Sequence, residues 1–269
     1  MQCSPYNDRF YKKHKSCFSK KQLIIIATAL KLKFNKNITK ITLWQHINDH
    51  MLQCKHGDEH CWLEQTGNII TNSHVPIQPT DWNTNPYTWL TNFDILNVMT
   101  QYEEKYTSFK FIGVFPIDFA ETYGFSSCIS TELCNFDLSK FKKYNSFACV
   151  FNLDKHYQSG SHWVTIFFNT NKRSKNYGFY FFDSVSSKIP KEILNFGISI
   201  KKQMNDRDFE LHQNVVRKQF QNTECGMFSL HFVTECLKNK SFHTIINAKY
   251  YDQDVHKLRK KLFRPNVSH

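Results

Sequence analysis

Glycine and proline are scarce in these 269 residues, 8 and 7 respectively, which excludes a collagenous chain or a linker-rich array. Long apolar runs are also missing. The stretch LIIIATAL at 23–30 is too short to span a bilayer. Lys20 and Lys21 precede it and Lys31 and Lys33 follow it, so it reads as a buried amphipathic helix rather than a leader, and no membrane insertion is expected. Acidic residues are absent from Arg9 to Asn48, where ten Lys and Arg stand. No disulfide-scaffold spacing is visible. Nine cysteines, an odd number, are scattered from Cys3 to Cys236, which fits a reducing compartment.

What is present is the composition of a globular protein. Hydrophobic residues make up 41%, with 25 Phe and 12 Tyr, enough for one large core plus a smaller appendage. The formal charge of +12 attracts polyanions. The basic run at 9–48 reads most plainly as a solvated surface, with DNA or an acidic partner as the alternative for the N-terminal arm. Lys257, Arg259, Lys260, Lys261 and Arg264 form a second basic stretch.

The turn-rich segment VPIQPTDWNTNP at 75–86 marks a boundary. It predicts a basic, mainly helical arm over 1–85, with helices near 20–33 and 40–52, and a core over 86–269. In WLTNFDILNVMTQYEEKY, Thr91 and Asp94 form a capping box and Leu90 staples onto Ile95. Ile95, Val98, Met99, Tyr102 and Tyr106 then share one helical face. Three runs read as strands: FACVFNL at 147–153, WVTIFF at 163–168 and YGFYFF at 177–182. They are apolar on both faces, so their sheet is expected to be covered on both sides. A helix near 190–205, a strand at 209–216 and a last helix over 252–264 complete the pattern. The cluster CKHGDEHC, with Cys54, His56, His60 and Cys61, has soft ligands but too little loop for the usual zinc knuckle pair, so no metal is expected there.

In RKQFQNTECGMF at 217–228, Cys225 opens a long apolar helix. A thiol there feels the positive end of the helix dipole, which favours thiolate. His162 stands at the mouth of one strand and Asp183 at the end of the next. If these strands are antiparallel neighbours, ring and carboxylate meet at one edge and the other ring nitrogen faces Cys225. Each element alone is commonplace; the three together read as a Cys–His–Asp triad. The Cys225 amide and the side chain of Gln219 or Gln221 are candidate oxyanion donors.

His162–Trp163, the FFD ending at Asp183, Gln219 with Cys225–Gly226 six residues on, and WLTNFD at 89–94 together resemble the SUMO-protease-like cysteine peptidases. That clan includes the adenovirus protease and polyprotein-processing enzymes of large DNA viruses. The resemblance covers about 86–269. It implies an α+β, papain-like cysteine peptidase core, a mixed sheet packed between helices with the permuted order His–Asp–Cys. It selects Gln219 as the oxyanion glutamine and implies no cofactor. It further implies an endopeptidase that cleaves viral polyproteins after Gly-Gly during virion maturation, in the host cytoplasm and the virion. Trp163, Trp89 and Asn92 take the substrate-binding positions, because two indoles closing a tunnel leave no room for a Cβ. Asp183 stands where some members carry Asn. Removal of SUMO or another modifier from host proteins is the alternative, and a basic nucleic-acid-binding virion protein a lesser one.

Overall fold

The computed structural model describes residues 3–8, 11, 15–70, 72–122 and 128–265. Arg9, Lys12 and Lys13 of the basic run lie outside the described residues. The chain forms two compact units, Met1–Ile77 and Gln78–His269.

In the first unit, α1 (Lys20–Ala29), α2 (Lys40–His50) and α3 (Glu59–Gln65) are each started by a side chain that accepts first-turn amides: Ser19, Thr39 and Asp58. Their apolar faces meet in a small core around Phe18, Leu23, Ile26, Leu43, Ile47 and Trp62. The LIIIATAL stretch is α1, with Leu23, Ile26 and Ala27 buried. Among the described residues no helix is long and apolar enough to cross a membrane.

Six of the nine cysteines are paired, Cys3–Cys17, Cys54–Cys61 and Cys128–Cys134, and Cys149, Cys225 and Cys236 are free and buried. This departs from the expectation of reduced, scattered cysteines. The partners are 14, 7 and 6 residues apart, and loops and short helices fold each pair together, so no regular spacing announces them.

The second unit is built on a five-stranded mixed sheet in the order β1 (Phe109–Pro116), β2 (Ser146–Asn152), β3 (Trp163–Asn169), β4 (Gly178–Phe182), β5 (Leu211–Gln213). The outer pairs β1–β2 and β4–β5 are parallel, and β2–β3 and β3–β4 are antiparallel. Every residue of β3 and β4 is buried, as two covered faces require. One face packs on α4 (Asn92–Lys105) and α7 (Cys225–Leu237). The other packs on α6 (Lys191–Met204) and the short α5 (Thr131–Cys134). The α4 capping box of Thr91 and Asp94 is formed, and Ile95, Val98, Met99 and Tyr102 face the core.

Three elements differ from the sequence expectation. β1 was not anticipated: FKFIGVFP carries a bulge between Phe111 and Gly113 and ends on a proline, the habits of an edge strand that blur its alternation. The strand expected over 209–216 spans three residues, because the side chain of Asn214 bonds the Asp183 backbone and ends the ladder, leaving Val215 exposed. The last helix is two short ones, α9 (Asp252–His256) and α10 (Arg259–Leu262), preceded by α8 (Phe242–Asn247).

Arg259 is no part of a solvated basic tail. It is 3% exposed, and its guanidinium donates to Glu224 Oε2 (3.0 Å), Pro86 O (3.0 Å), Thr88 O (2.8 Å) and Thr223 O (3.2 Å) over the face of Trp82. Glu224, also buried, keeps His256 Nδ1 at 2.8 Å as its other partner. Removing one member of such a pair strands the other charge, at about 3–5 kcal/mol. Arg259→Met is therefore expected to lower the melting temperature of the chain by roughly 10 °C, measured by calorimetry, where substitution of an exposed lysine such as Lys188 gives little change.

Candidate active site

The antiparallel register Thr165↔Phe182 sets the start of β3 beside the end of β4. His162 precedes the one and Asp183 follows the other. Their side chains meet, with His162 Nε2 and Asp183 Oδ1 2.6 Å apart. Asp183 is fully buried and braced. Its Oδ1 accepts Val185 N–H and its Oδ2 accepts Ser187 N–H, each at 3.0 Å. Its backbone is held on both sides by Asn214, which accepts Asp183 N–H at 2.8 Å and donates to Asp183 O at 2.7 Å.

The Cys225 thiol acts on the same imidazole and adds to the rise in its pKa. With Nε2 taken by Asp183, Nδ1 is the nitrogen left for sulfur. Cys225 is the first residue of α7, and the first amides of a helix have no carbonyl one turn earlier to bond. Gly226 follows because the backbone here packs against Trp163 and Leu90; a Cβ would meet atoms of both at 3.2 Å.

Burial disfavours a charged ring at His162, but its hydrogen bonds to Asp183 and Cys225 and their negative charge outweigh that cost and raise its pKa from 6.5 to about 9. Burial likewise works against the Asp183 carboxylate, and His162 with the two backbone N–H groups still holds its pKa below the usual value. A raised histidine pKa means the imidazolium persists to higher pH. A reaction that needs the thiolate–imidazolium pair is then expected to lose rate on the alkaline side through about pH 9, not near 6.5, in a kcat/KM profile.

The loop 154–161 that leads into His162 is fixed from both ends. His156 Nδ1 lies 2.7 Å from buried Asp118, and Asn152 Oδ1 accepts Asp154 N–H and Ser161 N–H. Gly160 adopts φ +89° against Asn152, whose amide nitrogen a Cβ would approach to 2.6 Å.

Trp89, Asn92 and Trp163 line one open cleft with Val114, Asn152 and Lys155. Trp163 is buried and donates its indole N–H to Leu90 O at 3.0 Å, whereas Trp89 is 43% exposed and Asn92 sits exposed in the first turn of α4. Gln219 is buried, accepts Ser184 Oγ–H at 2.6 Å and donates one amide proton to Gln221 O at 2.5 Å. Ser184 O in turn accepts the N–H of Lys218 and of Gln219, joining that segment to the residue after Asp183. The amides of Phe220 and Gln221 are held by Asp252.

The bracing residues Asn214, Ser184, Asp252 and the pair Glu224–Arg259 carry no signal in the sequence, since isolated polar residues in loops look alike until a partner is known. Cys54, His56, His60 and Cys61 do not converge on a common point; Cys54 and Cys61 are bonded to each other.

No family model matches the chain. The candidate thiol protease of Acanthamoeba polyphaga mimivirus is 30% identical over 190 residues, 67% of this chain and 58% of that protein. The SUMO-1 cysteine protease of African swine fever virus is 28% identical over 190 residues, 65% of this chain and 67% of that protein. The chain thus spans about three fifths to two thirds of the length of these relatives. The crystal structure of the African swine fever virus protease superposes with a TM-score of 0.69 at 22% identity, covering 99% of this chain and 96% of that one, which shows the shared α+β fold.

Proposed function

We propose that this chain, similar over 190 residues to viral thiol and cysteine proteases, is a thiol endopeptidase that cuts viral structural polyproteins after Gly-Gly during virion maturation. The observation that carries the reading is the 2.6 Å contact of His162 with Asp183, on a ring whose pKa the Cys225 thiol also helps to raise. In this reading Cys225 sulfur attacks the carbonyl of the second glycine. The thiol proton, held on His162 Nδ1, passes to the leaving amine, and water then releases the acyl group from sulfur. Asp183 keeps the ring oriented and stabilises its positive charge. The Cys225 amide and the remaining amide proton of Gln219 receive the oxyanion. Gln219→Ala is expected to lower kcat about 10²–10³-fold, the usual effect of one oxyanion donor, in a stopped-time peptide assay; a silent variant removes that role.

Buried Trp163 and half-exposed Trp89, lining the same cleft, support passage of an extended chain without side chains. Lys and Arg of the basic N-terminal arm would hold the enzyme near DNA or an acidic virion protein in the virus factory. The test is a panel of Gly-Gly-X peptides beside Ala-Ala-X peptides and a folded SUMO fusion, with products read by mass spectrometry. Cleavage of Gly-Gly-X alone supports polyprotein processing. Faster turnover of the SUMO fusion moves the substrate to modifier conjugates, the reading that the name of the African swine fever virus relative favours. Cleavage of Ala-Ala-X at equal rate removes the glycine tunnel.

A further inference from the structure

The first unit contains a second cluster of chemistry. Cys17, Glu59 and His74 are all buried, and their ligand atoms lie within 4.8 Å of one another. Cys3 is bonded to Cys17, and its backbone bridges that of His74. Three potential ligands, one sulfur, one imidazole nitrogen and one carboxylate oxygen, therefore converge, and Cys3, held to Cys17 through sulfur, stands beside them as a fourth.

The spacing within this cluster differs from that of the other buried carboxylates that hold a histidine. His162–Asp183, His156–Asp118 and His256–Glu224 stand at 2.6, 2.7 and 2.8 Å, the lengths of charge-assisted hydrogen bonds. His74 Nε2 and Glu59 Oε2 stand at 3.3 Å. A tetrahedral ion with bonds of about 2.1 Å sets its nitrogen and oxygen ligands roughly 3.4 Å apart. The ligands are also oriented from behind. His74 Nδ1 is 2.8 Å from Ser73 Oγ, which turns Nε2 toward Glu59. Glu59 Oε1 accepts the indole N–H of Trp44 at 2.7 Å, and Oε2 accepts Cys17 N–H at 2.9 Å with a lone pair to spare. Such outer partners are the usual company of a metal ligand.

We infer that the reduced chain holds one zinc ion in this unit, through Cys3, Cys17, Glu59 and His74, and that the Cys3–Cys17 disulfide is the metal-free form of the same site. The two forms are connected by a balanced exchange. Two equivalents of a small thiol reductant such as glutathione give up two electrons and become its disulfide. The Cys3–Cys17 bond breaks to two thiols, and zinc binding releases their two protons to solvent. Two thiolates and a carboxylate around Zn²⁺ leave a net charge of −1. Lys40, close enough to feel the charge of Glu59, offsets it. The closed ligand set leaves no open position for water, so the ion is structural.

The test uses the full chain carrying Cys225→Ser, so that the free thiol of the cleavage site takes no metal. Half is reduced without oxygen by a phosphine and half is left oxidised; each is titrated with Zn²⁺ against a chelating dye, and with Co²⁺. The reduced chain is expected to bind about one ion, and its cobalt form to show thiolate-to-metal charge transfer and the intense visible bands of a tetrahedral centre. His74→Ala and Glu59→Gln are expected to weaken zinc binding by more than about 100-fold, while His56→Ala binds as the parent does. A reduced chain that takes no more zinc than the oxidised one, or a cobalt spectrum without a sulfur band, overturns the site. Equal binding by folded His74→Ala does the same. Because the cobalt spectrum is read on the unaltered arm, misfolding of a variant leaves the proposal falsifiable.

Discussion

Cys225→Ala is expected to reduce cleavage of a Gly-Gly-X peptide by at least about 10⁴-fold, with a melting temperature close to that of the parent. Loss of one member of a nucleophile–base unit removes the covalent route entirely, and known cases reach ~10⁶ in kcat. The fold has little reason to respond. Cys225 is 2% exposed at the first position of a helix whose remaining residues supply the packing, and alanine is the best helix former. A single lost sulfur costs on the order of 1 kcal/mol. Active-site titration with an electrophile in the parent, and its absence in the variant, separates a missing nucleophile from a missing fold. Substantial turnover by Cys225→Ala would place the chemistry elsewhere.

Asp183→Ala carries the second large effect, about 10²–10⁴ in kcat/KM. Three donors lose an acceptor together: His162 Nε2–H and the amides of Val185 and Ser187. The ring is then free to turn and its charge is no longer offset. Asp183→Asn tests which loss matters. An amide oxygen accepts from Nε2–H as a carboxylate does but contributes no charge, so orientation survives. The alkaline limb, expected near pH 9 in the parent, is expected to move down toward 6.5, with a smaller loss of rate. Equal damage from Ala and Asn would make charge, rather than orientation, the contribution of Asp183.

The parts of this molecule legible in its sequence are those where one residue type does one local job. Thr91 and Asp94 announce the start of α4 because a capping box involves only neighbours. The strands β2 to β4 are legible because burial on both faces leaves them few polar residues, with Thr165 the one between strand ends in β2 and β3. His162, Asp183 and Cys225 could be brought together on paper because two antiparallel strands and one helix start need little more than order along the chain. What was hidden depends on partners far away. Arg259 looks like one more charge among Lys257, Lys260 and Lys261 until Glu224, 35 residues upstream, is placed beside it. Asn214 looks like a turn residue until it grips Asp183, 31 residues away. The cysteine pairs are of the same kind, set by how loops fold over α3 and before β2.

The anchoring of the candidate site by α9 and α10 has a consequence for the order in which it can assemble. Asp252 holds the amides of Phe220 and Gln221, and Arg259 clamps Thr223, Glu224 and the loop before Trp89. A ribosome-bound chain exposes its thiol, imidazole and carboxylate well before it exposes those two anchors. Until they emerge, the segment 220–224 lacks the bonds from Asp252 and Arg259, and Ser184 alone ties Lys218 and Gln219 to the end of β4. In the proposed peptidase, the segment before Cys225 would therefore take its final place only once 252–259 has folded against it.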